Sequence, residues 1–266
     1  MLQQLTAVWT YRYFWLSLVK MDLVTRYRRS FLGVGWSLLM PLAMTAVLCV
    51  VFSTFNASKD EPNAWRKYAQ NTLAAMAVWE FLKNTLVQGC RSFLQNEAYI
   101  RLSPLPYGIY PIRTVMSNLI HLLITLAVLM GVVAVLGTVH LETLPAVVPA
   151  ILLAMLFGWG IATVAAFATT YFHDISHLIE VGAHAFFFLT PIFYGRELLD
   201  SPEKGLGWFV DVNPVYVFIE IVREPFVSGV LPAWNRYAYA GGLAAASVGL
   251  GLGTIGWLQK RVIFQL

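Results

Sequence analysis

Residues that could carry catalytic or metal chemistry are few in this chain. His173 and His177 lie four residues apart, the spacing that places two metal ligands on one face of a helix. No Glu lies between them, as it would in a zinc peptidase motif, and no third ligand is obvious. The pair therefore indicates a polar boundary between two apolar segments. His121, His140 and His184 are isolated, so core or interfacial positions are expected. We predict no catalytic residue and no metal site.

Glu80 and Lys83 lie inside an apolar segment of the sequence. A charge at membrane depth is costly and usually faces the interior of a helix bundle or an aqueous cavity. At a spacing of three residues, the two side chains can also pair with each other on one helix. Two interpretations stand: an internal ion pair, or polar residues that line a route through the protein.

Aromatic side chains are concentrated near residue 190. A belt of lipid-facing rings at the membrane interface explains such a cluster. The alternative is a wall of rings along a route, which contacts the C–H faces of sugar rings weakly as a glycan slides past. The residues concerned are Phe186, Phe187, Phe188, Phe193 and Tyr194.

The composition decides which elements must position these residues. Hydrophobic residues make up 58% of the 266 residues and charged residues 12%, whereas soluble proteins carry about a quarter charged residues. The apolar residues come in blocks of about twenty, the length that an α-helix needs to cross ~30 Å of hydrocarbon. We therefore expect an all-α polytopic membrane protein. The net charge is +4, but the basic residues lie beside apolar blocks, so no nucleic-acid partner is expected.

Six transmembrane helices are predicted from the apolar blocks. Their approximate ranges are 34–55, 69–90, 112–137, 146–171, 177–195 and 238–258. No repeat or soluble linker separates them, so residues 1–266 are expected to form a single transmembrane domain. An even number of spans places both termini on one side of the membrane. The excess of Lys and Arg before the first span predicts that this side is the cytoplasm.

Three segments outside the predicted spans also have structure. Residues 4–30 interleave aromatic and basic residues, which is typical of a helix that lies in the membrane interface. Residues 91–111 form a polar loop with a short helical stretch that prolines stop. The outer loop 196–236 contains an amphipathic helix from Pro214 to Val227. Its polar side carries Glu220, Arg223 and Glu224.

The glycine-rich stretch 241–256 is not expected to bind phosphate. It lacks the Gly-Lys-Ser/Thr ending of a phosphate-binding loop and lies inside an apolar span. Gly249 and Gly253 are four residues apart, so we expect them to let helices approach closely in lipid. The sequence contains no nucleotide-binding motif, and any ATP-driven activity must therefore come from another polypeptide.

Three motifs follow one another in an order that resembles a known family. The first motif consists of Arg26, Tyr27, Arg28, Ser30, Leu32, Gly33, Trp36 and Pro41. The second is Phe172-His173-Asp174-Ile175, followed after one helix by Phe188-Leu189-Thr190-Pro191-Ile192-Phe193-Tyr194. The third is Asn213-Pro214 with Glu220-Ile221-Val222-Arg223 downstream. Together they resemble the ABC-2-type transmembrane subunits of bacterial polysaccharide exporters. His173 stands where that family usually has Arg, which puts a charge contact there in doubt.

The resemblance implies a permease subunit that is not itself an enzyme. A second copy of the chain and two copies of a separate ATPase subunit would complete the exporter, and the ATPase would bind ATP and Mg²⁺. Residues 4–30 would be the interface helix and 92–106 the coupling segment that seats on the ATPase, with 172–178 as a smaller contact. Residues 200–232 would form re-entrant outer gate helices. The coupling residues would be Glu97, Tyr99, Arg101 and Asp174, and the gate residues Glu220, Arg223 and Glu224.

The implied cargo is a lipid-linked O-antigen, capsular or teichoic-type glycan, carried across the bacterial cytoplasmic membrane. A polyprenyl-pyrophosphate carries negative charge at the inner headgroup layer, where Arg26, Arg28 and Arg29 are expected. Guanidinium groups bind phosphate in a bidentate manner. Ordinary positive-inside topology places cations there equally well, so both interpretations of the arginines remain.

Two rival functions remain from the sequence. An ABC-2 exporter of a drug or small molecule usually has a larger outer domain between its first two spans, for which residues 56–68 leave no room. A membrane-embedded transferase acting on lipid-linked sugars would need His, Asp or Glu side chains at one membrane depth. We expect Glu80, Glu180 and His184 to lie on different spans and at different depths.

Overall fold

Helices form the regular structure of the described chain. The computed structural model describes residues 9–28, 30–31, 33, 35–55, 64–102, 105–135, 140–194 and 207–265, and these ranges contain no strand. In chain order the helices are α1 Arg12–Tyr27, α2 Gly35–Phe55, α3 Ala64–Cys90, α4 Glu97–Leu102, α5 Ile109–Val135, α6 Val147–Tyr171, α7 Asp174–Leu189, α8 Gly207–Val212, α9 Pro214–Arg223 and α10 Trp234–Leu258. A 3₁₀ turn, Leu94–Asn96, precedes α4, and a π-helical turn, Glu224–Ser228, follows α9.

Within the ranges that the structure describes, three helices are long and apolar enough to cross a membrane: α5, α10, and α6 together with the turn before it, Leu144–Tyr171. They match the third, sixth and fourth predicted spans, and the chain is a multi-pass membrane protein. The other three predicted spans coincide with α2, α3 and α7. α7 has 16 residues, or about 24 Å at 1.5 Å per residue. That length is less than the ~30 Å of a bilayer core.

Helix α6 lies at the centre of the bundle, packed against α10 and α3. A Cβ added at Gly160 would lie 2.3 Å from the backbone carbonyl of Ser247, so α6 and α10 touch backbone to backbone there. A Cβ added at Gly249 or Gly253 would have no neighbouring atom within 4 Å. The expectation that these two glycines pack helices together is therefore wrong within this chain. The close approach lies on a different face of α10, at Ser247 and Gly251.

The fifth predicted span is wrong at both ends. α7 begins at Asp174 rather than residue 177, and it ends at Leu189 rather than 195. Pro191 disfavours helical backbone at the residue before it, and Thr190 is extended, with φ −87° and ψ 131°. Phe193 therefore lies beyond the helix and not within it.

Residues 207–228 form α8, α9 and the π-helical turn, and α9 packs against α3, α6 and α10. The predicted helix from Pro214 to Val227 is α-helical as far as Arg223 and π-helical from Glu224. Asn213 caps α9, since its side-chain oxygen accepts hydrogen bonds from the backbone N–H groups of Val215 and Tyr216. Residues 195–206 lie outside the described residues, and 200–206 among them belong to the predicted outer gate.

Candidate functional site

A groove of about 850 Å³ opens between α2, α3, α5 and α7. Its wall mixes charged, amide, imidazole and aromatic side chains with apolar ones. The lining residues are Ser30, Trp36, Ala43, Met44, Val47, Met76, Ala77, Trp79, Glu80, Phe81, Lys83, Asn84, Gln88, Asn118, His121, Leu122, Thr125, Ala183, His184 and Phe187. A polar wall at this depth of an apolar bundle is unusual because lipid cannot solvate it.

Glu80 and Lys83 form the ion pair that one interpretation of the sequence predicted, and both also line the groove. The Lys83 ammonium donates to both Glu80 carboxylate oxygens at 2.7 Å, and both residues line the groove. Asn84 donates a further hydrogen bond to Glu80 at 3.0 Å. The three side chains form a neutral polar patch on α3. With both side chains a quarter or more exposed, the pair remains accessible from the groove.

Helix α5 adds a second polar line that sequence reasoning missed. The Asn118 amide donates to the side-chain oxygens of Gln88, at 3.4 Å, and Thr85, at 3.5 Å. His121 and Thr125 follow on the same side of α5 and also line the groove. The spacing of three and then four residues places 118, 121 and 125 on one helix face. That spacing, within an apolar span, is the signal that was available in the sequence.

The five predicted aromatic residues do not act as one wall. Phe187 lines the groove, beside Trp79 at a ring distance of 5.5 Å. Phe188 is 66% exposed and points away from the core, while Phe186 and Phe193 pack against the hydrophobic core. Tyr194 donates from its hydroxyl to the backbone carbonyl of Phe188 at 3.0 Å. The other aromatic lining residues, which sequence reasoning did not assign to a route, are Trp36, Trp79 and Phe81.

The predicted coupling residues lie on α4 and at the start of α7. Glu97 and Arg101 form an ion pair at 2.8 Å on the exposed side of α4. Tyr99 contacts Phe14 of α1 edge to face, with ring centroids 5.8 Å apart. Asp174 is exposed in the first turn of α7.

The structure describes only part of the predicted headgroup site formed by Arg26, Arg28 and Arg29. Arg28 is exposed at the end of α1. Arg29 and the side chain of Arg26 lie outside the described residues.

A buried polar network joins α1, the turn before α4, and α5. The Arg113 guanidinium donates through Nε to Asp22 at 2.6 Å and through Nη2 to the other oxygen of the same carboxylate. Its Nη1 donates to the side-chain oxygen of Asn96. Ser117 adds a hydrogen bond to Asp22 at 3.3 Å. Sequence reasoning assigned none of these residues to a site.

The predicted gate residues take part in an ion cluster centred on Arg236, which sequence reasoning also missed. Arg236 contacts Glu220 at 2.7 Å and Glu224 at 2.5 Å. Glu220 is only 8% exposed, so the polar side of α9 faces α10 rather than water. Arg223 lies over the ring of Tyr216, 5.9 Å from its centroid. Burial raises the pKa of Glu224 above its usual value, although the charge of Arg236 opposes the shift.

The ABC-2 type transporter family matches residues 13–227, most of the chain and all of the helices that form the groove. The chain belongs to this family. One relative of this ABC-2 protein is an O-antigen export system permease protein RfbA from Klebsiella pneumoniae. The two sequences are 26% identical over 233 residues, which cover 87% of each protein. A protein of the same name from Myxococcus xanthus is 23% identical over 235 residues, again 87% of each. The family resemblance found in the sequence is confirmed.

Two of the motifs that carried the resemblance meet in this ABC-2 fold. The Asn213 amide donates to the Thr190 hydroxyl at 3.0 Å, while the same side chain caps α9. Thr190 and Asn213 are both buried. This contact fixes the C-terminal end of α7 against the start of α9.

Glu80 on α3 and His184 on α7 lie on different helices, as expected, and both line the groove. Glu80 is already held by Lys83 and Asn84, and within the described ranges no three His, Cys, Asp or Glu side chains form a metal-binding group.

Proposed function

We propose that this protein is the transmembrane subunit of an ATP-driven exporter that moves a lipid-linked polysaccharide, such as O-antigen, across the bacterial cytoplasmic membrane. The groove between α2, α3, α5 and α7 is the observation that carries the proposal. It places amide, carboxylate, imidazole and aromatic side chains along the inside of a membrane-spanning bundle. The naming of the relatives as O-antigen export permeases supports the same cargo.

The groove suits a sugar polymer in its chemistry. Amide, carboxylate and hydroxyl groups exchange hydrogen bonds with sugar hydroxyls, and the rings of Trp79 and Phe187 contact the C–H faces of sugars. Each such contact is weak because water competes with it in an open route. Weak, repeated contacts let a polymer move past, whereas one deep and specific pocket would retain it.

The route is completed by a second copy of the chain in this proposal. A groove lined by Glu80, Lys83 and Asn118 cannot face hydrocarbon without a large desolvation cost. A homodimer with the two grooves facing each other encloses the polar walls and doubles the width available to a glycan. Six spans per chain, with both termini in the cytoplasm, complete the topology.

Energy comes from a separate ATPase in this proposal, because the chain has no nucleotide-binding motif. The exposed surface of α4, with Glu97 and Arg101, is the contact that its closure would move, and Asp174 lies at a second exposed turn. ATP and Mg²⁺ would be bound by that subunit and not by this chain.

The lipid carrier is proposed to enter at the inner interface beside the end of α1. Arg28 is exposed there, and Arg26 and Arg29 flank it in sequence. A pyrophosphate at the headgroup layer offers several oxygens to guanidinium groups that stay charged at any physiological pH.

Filling the groove tests the function directly. Ala183 lines the groove, whereas Ala185, two residues along α7, is exposed and is not part of the wall. Ala183→Trp is expected to abolish surface polysaccharide in a strain that depends on this permease, because an indole occupies the route. Ala185→Trp is the matched control and is expected to leave export unchanged. Surface polysaccharide is measured by gel and by antibody against the glycan.

Unchanged polysaccharide in the Ala183→Trp strain, with normal amounts of the protein in the membrane, would exclude the groove as the route. If deletion of the gene left surface glycan intact but made cells sensitive to a small toxic compound, the exporter of small molecules would replace the present proposal.

A further inference from the structure

The cytoplasmic-side network around Arg113 connects three segments that are far apart in sequence. Asp22 lies on α1, Asn96 in the turn before α4, and Arg113 in the second turn of α5. The guanidinium uses Nε and Nη2 on Asp22 and Nη1 on Asn96. A bidentate guanidinium–carboxylate contact fixes both distance and orientation. Arg113 is 9% exposed and Asn96 2% exposed, so water is kept from the bond between them, whereas the Asp22 side chain is 33% exposed and its contact with Arg113 is half-buried.

A second contact ties the same two segments together one turn further along. The rings of Phe14 on α1 and Tyr99 on α4 meet edge to face. The ring contact joins α1 to the segment 94–102 directly, and the Arg113 side chain of α5 joins them a second time by bridging Asp22 and Asn96. The Asn96 side chain also donates to the Ser92 carbonyl at 2.7 Å, which holds the turn itself in shape.

Helix α5 leads from this network to the groove. Arg113 and Ser117 face Asp22, while Asn118, His121 and Thr125 line the groove within the next three turns of the same helix. An uninterrupted helix transmits a displacement at one end to the other because its backbone hydrogen bonds resist bending. A push on the segment 94–102 therefore reaches the groove wall through Asn96, Arg113 and α5.

We propose that Asp22, Asn96 and Arg113 are positioning residues that make the segment 94–102, helix α1 and helix α5 move as one body when the ATPase closes. This inference rests on the proposed function, because it needs an ATPase that acts on the segment 94–102. It assigns a role to three residues that bind one another and do not line the groove. It also links the helix that carries Arg28 to the same movement, so capture of the lipid headgroup and opening of the route would occur together.

Substitutions at Asn96 separate coupling from folding. Asn96→Leu removes the acceptor for Arg113, and Asn96→Asp keeps it. Both lose the hydrogen bond to the Ser92 carbonyl, so the difference between them reports the contact with Arg113. Ser117→Ala is the control in α5, since it removes a hydrogen bond to Asp22 without affecting the segment 94–102. Each variant is purified with the ATPase subunit, and assembly, melting temperature, ATP hydrolysis and cellular export are measured.

Uncoupling is the expected result for Asn96→Leu. ATP hydrolysis, assembly and melting temperature stay close to wild type, while export falls by about ten-fold, the size expected for a residue that carries coupling between two sites. Asn96→Asp and Ser117→Ala retain export. If Asn96→Leu lowers assembly, melting temperature, hydrolysis and export in the same proportion, the network is merely structural and the inference is wrong. Normal export in Asn96→Leu overturns it as well.

A chemical bridge gives an independent test of movement as one body. In a chain with Cys49→Ser and Cys90→Ala, Phe14→Cys and Tyr99→Cys are joined across the former ring contact by a short bis-methanethiosulfonate, which forms a reducible disulfide with each thiol. Export by the bridged complex is expected to equal that of the same double-cysteine complex before bridging, because the bridged segments do not move relative to each other. Loss of export that returns on reduction would show that they do, and would overturn the inference. If the unbridged wild-type complex neither exports glycan nor binds an ATPase, the proposed function itself fails.

Discussion

At the scale of single residues, ion pairs hold Lys83 to Glu80, Arg113 to Asp22, and Arg236 to both Glu220 and Glu224. Arg236 is the most demanding case because it serves two carboxylates. Replacing it by Met would leave Glu220, whose side chain is 10% exposed, without its cation. Removing one partner of a buried pair leaves an uncompensated charge, which costs more than the pair contributes.

We expect Arg236→Met to lower the free energy of unfolding by about 3 kcal/mol, toward the low end for buried pairs since Arg236 remains partly exposed. Arg223→Met is the matched control. It removes a cation that lies over Tyr216, and we expect it to cost about 0.5–1 kcal/mol. Thermal unfolding of the two proteins in detergent, compared with wild type, measures the difference. Equal losses in both variants would mean that the Arg236 cluster has no special role.

Single residues also show where the sequence was informative about the site. Glu80 and Lys83 were predicted because a charge within an apolar segment is conspicuous. Asn118 and His121 were missed because neutral polar residues in an apolar span have several ordinary uses. The Asp22–Arg113 pair spans 91 positions, and no local pattern connects two residues so far apart.

At the scale of elements, helix packing depends on where small residues meet and not on how many there are. Gly160 on α6 touches the backbone of α10, whereas Gly249 on α10 has open space around it. Gly160→Ala is expected to destabilise the protein by about 1–3 kcal/mol through overpacking. Gly249→Ala is expected to be neutral or to stabilise α10 by up to about 1 kcal/mol through helix propensity. Melting temperatures of the two purified variants test this contrast, and a large loss in Gly249→Ala would place that face against another chain.

The sequence predicted the positions of the helices better than it predicted where each helix ends and which helices it contacts. Apolar blocks about twenty residues long set α2, α5, α6 and α10 to within a few residues, because lipid demands that length. The end of α7 was misplaced because apolar residues continue past Leu189, while the backbone constraint of Pro191 stops the helix. Which face of α10 packs on α6 was missed because glycine spacing gives no information about the partner helix.

At the scale of the whole molecule, a route shared by two chains makes a quantitative prediction about mixtures. If one blocked groove closes the shared route, only pairs of unblocked chains export. Co-expression of wild type and Ala183→Trp in equal amounts should then reduce the export rate to about a quarter, because two-fold assembly by random pairing leaves that fraction fully wild type. If each chain carried its own route, half of the export would remain.

The control for this mixture is Ala185→Trp, co-expressed with wild type in the same ratio. That variant adds the same indole to the exposed side of α7, so any loss it causes reports assembly or expression rather than blockage. Export rates are measured at low induction, where the permease limits the flux of glycan, and membrane levels of both chains are determined by distinct tags. A quarter of wild-type export with Ala183→Trp, and full export with Ala185→Trp, requires that the walls of one route come from two copies of this chain.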